Sequence, residues 1–400
     1  MKTRFLFLPA LPALLISACS PALSLPPASE ALDSRRWSDC AATAAEREGR
    51  SLIDDATMDR DRLLCDGVVT AVRDGHVDDG LDMLSHAAIL DDGDHRAHLL
   101  RARILEGNGR FEEALSAFER AHARNDRIDI PSEDLARRVR ELHGDAAAIY
   151  FAKQAEVRGL CAFGCRAFLA GLLRDAGDVE EAETRFNALL SEDRSQPAPF
   201  VGLAAIRHRT GEFDKEAALL KEASGSDGFA SLPSEQQAEI HFKEAFARAA
   251  AQDWRGAREA VERALAIHEE KEWWQLCGDI YLQLEDPAVA TVKYDRALAL
   301  DPGLVSAHVG QGDARMMLAR PEEAMASYKA ALELAPDDAV VRLKMARAAL
   351  RFGDPDAARR LLGEAVELAG DRLPAELRDE ITRALQPDDA QKSSGPAGSK

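Results

Sequence analysis

A repeat of 34 residues constrains the fold of this chain more than any other feature of its sequence. Small residues recur at that spacing in two series, which run through Gly80, Ala114, Ala148 and Ala182 and through Ala102, Ala136, Ala170 and Ala204. A period of roughly 20 to 50 residues is typical of stacked repeats, in which each unit buries its apolar face against its neighbours. The sequence therefore predicts a repeat protein.

The clearest repeat unit begins at Trp273 and consists of two amphipathic helical patterns separated by a turn at residues 285–287. The residues that share a face are Trp274, Gly278 and Tyr281 in the first pattern and Ala290, Tyr294 and Ala297 in the second. Their spacing is that of one side of an α-helix. We expect the small residues where the two helices cross closely, with the aromatic rings beside those crossings. Pro302 then ends the second helix, because proline cannot continue it.

These residues resemble the signature of the tetratricopeptide repeat, in which a tryptophan, a glycine and a tyrosine precede an alanine, an aromatic residue, a second alanine and a proline. The resemblance implies an all-α fold, a right-handed superhelical solenoid of about nine stacked antiparallel helix pairs. Repeats 1–5 are placed in residues 61–223 and repeats 6–9 in residues 237–370, with an N-terminal helical unit in 31–60, a capping helix in 371–385 and a disordered tail in 386–400.

One segment interrupts the register. Residues 224–236 are rich in glycine and serine and add residues before the repeat resumes. Such a composition is typical of connecting segments. We interpret it as a flexible joint, as a protruding interaction loop or simply as a longer connection.

The N-terminal residues resemble a bacterial lipoprotein signal. A positively charged start and a short apolar run precede Ile16-Ser17-Ala18-Cys19, which is similar to a lipobox. The resemblance implies a signal peptide in residues 1–18, acylation of Cys19 with palmitate-type chains, and a Pro- and Ser-rich tether in residues 19–30. Ser20 after the cysteine implies anchoring in the outer membrane, facing the periplasm. The alternatives are inner-membrane anchoring, or secretion after an ordinary signal.

Export would bring the other cysteines into an oxidising compartment, in which disulfides form and persist. Cys40 and Cys65 are one candidate pair, and Cys161 and Cys165, which lie four residues apart, are another. Cys277 occupies a packing position in its repeat and is interpreted as a small buried apolar residue.

The sequence predicts no enzyme and no cofactor, because it contains no phosphate-binding Walker loop, dinucleotide-type glycine motif or nucleophile elbow. The densest set of metal-ligand residue types, in residues 91–98, is interpreted as a turn, since aspartate and glycine form turns readily, and no metal site is expected. The net charge of −19 excludes nucleic acid as a favoured partner, because phosphates require clustered lysine and arginine.

In the tetratricopeptide family the first helix of each repeat lines a concave groove that holds peptides. The resemblance places basic residues in register on this side of the N-terminal half, at Arg103, Arg137, Arg140, Arg174 and His208. They are interpreted either as a positive strip for an acidic partner segment or as ordinary salt bridges with nearby glutamates and aspartates.

The C-terminal half carries apolar residues on the same side. They are Phe242, Phe246, Leu282, Val309, Met316, Met317, Leu343 and Leu350. These residues either receive a partner helix or are buried against neighbouring repeats.

The predicted function is that of a membrane-anchored scaffold or assembly factor of the bacterial envelope, which binds other envelope proteins by peptide or helix docking. The alternatives are an accessory subunit that regulates a cell-wall or envelope enzyme, or an enzyme with an unrecognised site.

Overall fold

The computed structural model describes residues 55–126 and 130–369. Within these ranges it contains 18 α-helices, arranged as nine consecutive pairs, and no β-strand. The chain forms two compact units and passes from the first to the second between Arg185 and Phe186. The predicted all-α fold of stacked helix pairs is thereby confirmed.

The described residues of the first unit form seven complete helices and the start of an eighth. They are α1 (Asp55–Val68, continued by a π-helical turn at Val69–Arg73), α2 (Val77–Leu90), α3 (His95–Gly107), α4 (Phe111–Arg124), α5 (Ser132–His143), α6 (Asp145–Val157), α7 (Phe163–Ala176) and α8 (Val179–Glu192).

Up to residue 369, the second unit contains the end of α8 and ten further helices, and each of the ten packs against the next. They are α9 (Ala198–Thr210), α10 (Phe213–Gly225), α11 (Ser234–Ala250), α12 (Trp254–Ile267), α13 (Lys271–Gln283), α14 (Pro287–Leu300), α15 (Val305–Met317), α16 (Pro321–Leu334), α17 (Ala339–Phe352) and α18 (Pro355–Ala369).

Short polar turns separate the helices and satisfy their ends. The side chains of Asp253, Asp286 and Asp338 accept hydrogen bonds from backbone N–H groups at the starts of α12, α14 and α17. Such caps satisfy donors that have no partner within the helix. Gly211 and Gly353 end α9 and α17 in the left-handed conformation, which glycine adopts without steric cost.

Close helix crossings in the second unit are built around two buried tyrosines. The Tyr294 and Tyr328 rings are at most 1% exposed, and their hydroxyls donate hydrogen bonds to Asp279 and Asp313. A Cβ atom at Gly312 would lie 2.3 Å from the Tyr328 ring, and one at Gly278 would lie 2.6 Å from the Tyr294 ring. Glycine is therefore required at these crossings, as the repeat pattern predicts.

The inserted segment is folded against the second unit and does not protrude from it. Residues Asp227–Ser231 form a short 3₁₀ helix, in which the Gly228 N–H donates to the Ser195 carbonyl at 2.8 Å. Phe229 and Leu232 pack against the buried cluster of α9, α10 and α11. The interpretation as a protruding loop is wrong, because these two apolar side chains hold the segment down. Residues 224–236 therefore contain a longer connection between α10 and α11.

Several predicted segments lie outside the described residues. These are the signal peptide, the tether, the capping helix, the tail and residues 31–54 of the N-terminal unit. Between residues 55 and 369, no helix that the structure describes has the length and apolar character needed to cross a membrane.

Candidate protein-binding surfaces

The first two basic residues of the predicted strip are engaged within the first unit. Arg103 is only 8% exposed; its Nη1 lies 3.0 Å from Glu106 Oε2, and its guanidinium lies over the Phe118 ring. Arg137 is half exposed, yet its Nη2 lies 2.6 Å from Glu133 Oε1. Arg103 is thus part of the packing and is not a free ligand-binding side chain.

The next two basic residues share one aspartate. Arg140 Nε lies 2.7 Å from Asp145 Oδ1, and its Nη2 lies 3.9 Å from Asp175 Oδ2. Arg174 Nη2 lies 2.8 Å from Asp175 Oδ1. Each of the four arginines therefore pairs with a nearby glutamate or aspartate, as the interpretation of these residues as ordinary salt bridges expects.

His208 is also held by a carboxylate. Its Nδ1 lies 3.0 Å from an oxygen of Glu216, which is 5% exposed and stands where the repeat usually has a small residue. Burial raises the pKa of the Glu216 carboxyl, and the hydrogen bond to His208 opposes this effect. The imidazole lies beside the Phe213 and Phe246 rings, with centroids at 6.0 and 5.8 Å. His208 is therefore part of a mixed polar and aromatic surface.

The apolar residues of the second unit divide into buried and exposed members. Leu343 is 7% exposed and belongs to the core with Ala346 and Leu362, so its prediction as a ligand contact is wrong. Val309 is half-buried against the Tyr328 cluster. Phe242 stacks on Trp273 with ring centroids 4.9 Å apart.

The exposed and partly buried members near the ends of the first helices form what we call the apolar strip, defined as Phe246, Leu282, Met316, Met317 and Leu350. Phe246, Met317 and Leu350 are 45%, 51% and 49% exposed, whereas Leu282 and Met316 are partly buried. Leu282, Met316 and Leu350 recur at the 34-residue spacing, each in the last turn or two of a first helix. The repeat thus places a large apolar side chain at one equivalent position of α13, α15 and α17.

Carboxylates accompany the apolar strip. Asp279 and Asp313 lie one helical turn before Leu282 and Met316, again 34 residues apart. Asp279 accepts a hydrogen bond from Tyr294, and Asp313 accepts one from Tyr328 and pairs with Lys344. Burial raises the pKa of the Asp279 carboxyl, although its hydrogen bonds oppose that shift. The surface is therefore apolar, and its two neighbouring carboxylates are engaged within the repeats.

The sequence did not reveal a buried ion cluster around Glu244. This carboxylate is fully buried in α11, with Arg248 Nε at 2.9 Å and Arg263 Nη2 at 3.4 Å from its oxygens. Arg248 also pairs with Asp253, the residue that caps α12. The cluster joins α11 to α12 and is structural.

The aspartates of residues 91–98 form a turn between α2 and α3. Asp91 accepts a hydrogen bond from the Gly93 N–H, Asp94 caps α3, and Asp92 pairs with Arg124. Among the residues that the structure describes, no cluster of three or more histidine, cysteine, aspartate or glutamate side chains could hold a metal ion.

The described cysteines fall into two classes. Cys161 and Cys165 form a disulfide, and Cys65 is also disulfide-bonded. Cys40 lies outside the described residues, so its pairing with Cys65 stays a prediction. Cys277 is a fully buried free thiol, and burial raises its pKa to about 12. It behaves as a small apolar residue at neutral pH.

Comparison with known proteins identifies the repeats. One family model, described as Tetratricopeptide repeat, matches residues 66–127, 169–230 and 278–339, and a second model of the same description matches residues 316–378. Together they match more than half of the chain. No curated protein matches the sequence.

Solved structures resemble parts of the chain at low sequence identity. YrrB, described as a TPR protein with an unusual peptide-binding site, is 18% identical, with a TM-score of 0.41; the match covers 50% of this chain and 97% of YrrB. The C-terminal part of a TPR repeat-containing protein from Cytophaga hutchinsonii is 13% identical, with a TM-score of 0.49; the match covers 64% of this chain and 99% of that protein chain. MamA is 16% identical, with a TM-score of 0.40; the match covers 43% of this chain and 91% of MamA. By its family-model matches, the chain belongs to the tetratricopeptide repeat family.

Proposed function

We propose that this protein is a membrane-anchored scaffold or assembly factor of the bacterial envelope, which binds helical segments of partner proteins on the apolar strip of its second unit. Tetratricopeptide repeats support a role as a protein-interaction scaffold. The observation that carries the proposal is the recurrence of exposed or half-exposed large apolar residues at one position of successive first helices.

The apolar strip suits an amphipathic helix. Partner helices commonly insert apolar residues spaced three or four positions apart into such surfaces. Met316 and Met317 supply flexible side chains that adapt to different partner shapes. Burial of Phe246, Met317 and Leu350 by a partner would remove apolar area from water, which is the main favourable contribution to association.

The net charge of the chain indicates the charge of the partner. The chain as a whole carries a net charge of −19. Complementary charge directs association and disfavours wrong partners. The favoured partner segment is therefore a helix with an apolar stripe flanked by lysine or arginine.

The first prediction concerns the apolar strip. Met317→Asp and Phe246→Asp should each weaken binding of a basic amphipathic helical peptide, selected from a display library, by at least about tenfold, because burying an uncompensated carboxylate is costly. Val292→Asp is the matched control, since Val292 is 62% exposed on α14, a second helix. Fluorescence anisotropy measures the affinities. Failure of the library to yield such peptides, or equal affinity in all three variants, would contradict the proposal.

The anchoring part of the proposal is supported by the lipobox-like residues that end at Cys19. The Cys161–Cys165 disulfide is compatible with it, because disulfides persist mainly in oxidising compartments outside the cytosol. We place the protein at the outer membrane, facing the periplasm.

The second prediction concerns this anchor. Cys19→Ala should shift the protein from the outer-membrane fraction and abolish incorporation of labelled palmitate, because stable anchoring depends on acyl chains attached at that residue. Cys277→Ala is the control, since Cys277 is buried in the second unit and should leave both readouts unchanged. Membrane retention of the Cys19→Ala protein with undiminished labelling would exclude Cys19 as the acylation site.

A further inference from the structure

A cavity of about 590 Å³ lies among α2, α3 and α4 of the first unit. We call it the arginine cavity and define it by Ser85, Ile89, His98, Arg101, Arg120 and Arg124, which line it. It is separate from the predicted groove side, since Arg101 and Arg103 are two residues apart on α3 and therefore point about 200° apart around the helix.

His98 contributes a buried polar atom without a partner. The residue is 8% exposed, and its Nε2 makes no hydrogen bond to any residue that the structure describes. Buried polar atoms are nearly always hydrogen-bonded, and leaving one unpaired costs free energy. A neutral imidazole can present this nitrogen as a hydrogen-bond donor, depending on its tautomer. The unpartnered atom therefore indicates that the cavity receives a hydrogen-bonding ligand.

Three guanidinium groups face the same space. Arg124 is held by the carbonyl and the carboxylate of Asp92, and Arg101 donates to the Ser85 hydroxyl. The Arg120 side chain is exposed and makes no hydrogen bond or ion pair with the residues that the structure describes. Among the described residues that line the cavity, Asp92 is the only one with a carboxylate, so this lining carries excess positive charge within a strongly acidic chain.

The pKa of His98 reflects this positive charge. Burial, together with the charges of Arg124, Arg120 and Arg101 and against the opposing charge of Asp92, lowers the pKa of His98 to about 4. The imidazole is therefore neutral at pH 7. The same positive charges that disfavour an imidazolium ion favour a bound anion.

From this geometry we infer that the arginine cavity binds a small organic oxyanion, a carboxylate or a phosphate monoester with an apolar substituent. Arg120 and Arg101 supply the planar donor forks that bind such groups through paired hydrogen bonds. His98 Nε2 supplies a further donor, and Ala88 and Ile89 form an apolar wall for the substituent.

Two defined probes test the inference on the full-length protein. Phenyl phosphate and hexanoate are titrated by calorimetry, with hexylamine as the cationic control. At least one anionic probe should bind, and hexylamine should not; the tighter of the two anions identifies the favoured oxyanion. The His98 imidazole resonances should shift on binding, and the pKa of His98 should rise, because a bound anion stabilises its charged form.

Variants locate the site. Arg120→Gln should weaken anion binding by at least about tenfold, since it removes charge-assisted hydrogen bonds. Arg120→Lys should bind with intermediate affinity because it keeps the charge but loses the fork. Arg137→Gln changes an exposed arginine of the same unit that does not line the cavity, and it should bind like the wild type. The unfolding temperature of each variant checks its fold, and the substitution removes no hydrogen bond or ion pair that Arg120 makes with the described residues. Absence of binding by both anions at millimolar concentration, or equal affinity in Arg120→Gln and the wild type, would overturn the inference.

Discussion

Replacing Gly312 by alanine should lower the free energy of unfolding of the second unit by about 2 kcal/mol. The new methyl group would lie 2.3 Å from the Tyr328 ring, which is 1% exposed and tied to Asp313 through its hydroxyl. The ring cannot turn away without breaking that hydrogen bond, so α15 and α16 must separate. Overpacking of this kind costs up to about 3 kcal/mol, and the higher helix propensity of alanine returns about 1 kcal/mol.

A matched control exists in the same unit. Gly363 lies inside α18, and a Cβ atom there would meet nothing within 4 Å. Gly363→Ala should therefore raise stability by about 0.5–1 kcal/mol through helix propensity alone. Urea unfolding, followed by the fluorescence of Trp254, Trp273 and Trp274, measures both variants. A Gly312→Ala protein as stable as the wild type would show that the crossing tolerates a side chain. Tyr328→Leu should relieve part of the Gly312→Ala penalty, because it removes the opposing ring.

The helix pairing could be predicted from the sequence because stacking is encoded locally. Gly278 and Tyr294 meet within one repeat, and Gly312 and Tyr328 meet in the next at the same spacing. A 34-residue pattern repeats this local contact along the chain. The identity of each crossing residue therefore indicates both the helix face and its neighbour.

Exposure along the first helices could not be predicted in the same way. Phe242, Val309 and Leu343 occupy comparable positions, yet Leu343 is buried because Leu362 and the alanines of α17 and α18 close over it. Arg103 is buried for a similar reason, since Phe118 from the next helix lies beneath its guanidinium. Repeat position identifies the helix face, but the partner side chains from neighbouring helices determine how much of each residue remains exposed.

The polar clusters depend on contacts that no local pattern reveals. Arg263 approaches Glu244 from 19 residues further along the chain, and Arg101 reaches Ser85 across a separation of 16. For the contact between Glu216 and His208 the sequence did carry a signal, because a carboxylate stands at a position where the repeat usually has a small residue. Composition also misled in residues 224–236, where Phe229 and Leu232 outweigh the surrounding glycine and serine.

Replacing Arg248 by methionine should destabilise the second unit by about 3 kcal/mol, because removing the nearest partner of a buried carboxylate leaves its charge only partly compensated. Glu244 is fully buried and would retain Arg263, which is 46% exposed, and His241, whose Nδ1 lies 3.8 Å away. Arg359→Met is the control, since Arg359 pairs with the exposed Asp356 and such pairs contribute less than about 1 kcal/mol. Urea unfolding at pH 7 compares the two variants.

The pH dependence of this stability loss distinguishes the effect of the Arg248–Glu244 ion pair from the effect of side-chain packing. Burial alone would raise the pKa of Glu244, but the neighbouring His241 and the charges of Arg263 and Arg248 outweigh burial and hold it below its ordinary value of 4.5. A carboxyl with a lowered folded-state pKa stabilises the fold above pH 4.5, and this contribution is lost as the pH falls through the folded-state pKa. The deficit of Arg248→Met should therefore be complete at neutral pH and should shrink on acidification below pH 4.5, as Glu244 becomes protonated in both proteins. A deficit that stays constant across this range would mean that Arg248 acts only through the packing of its side chain, and that Glu244 does not depend on its charge.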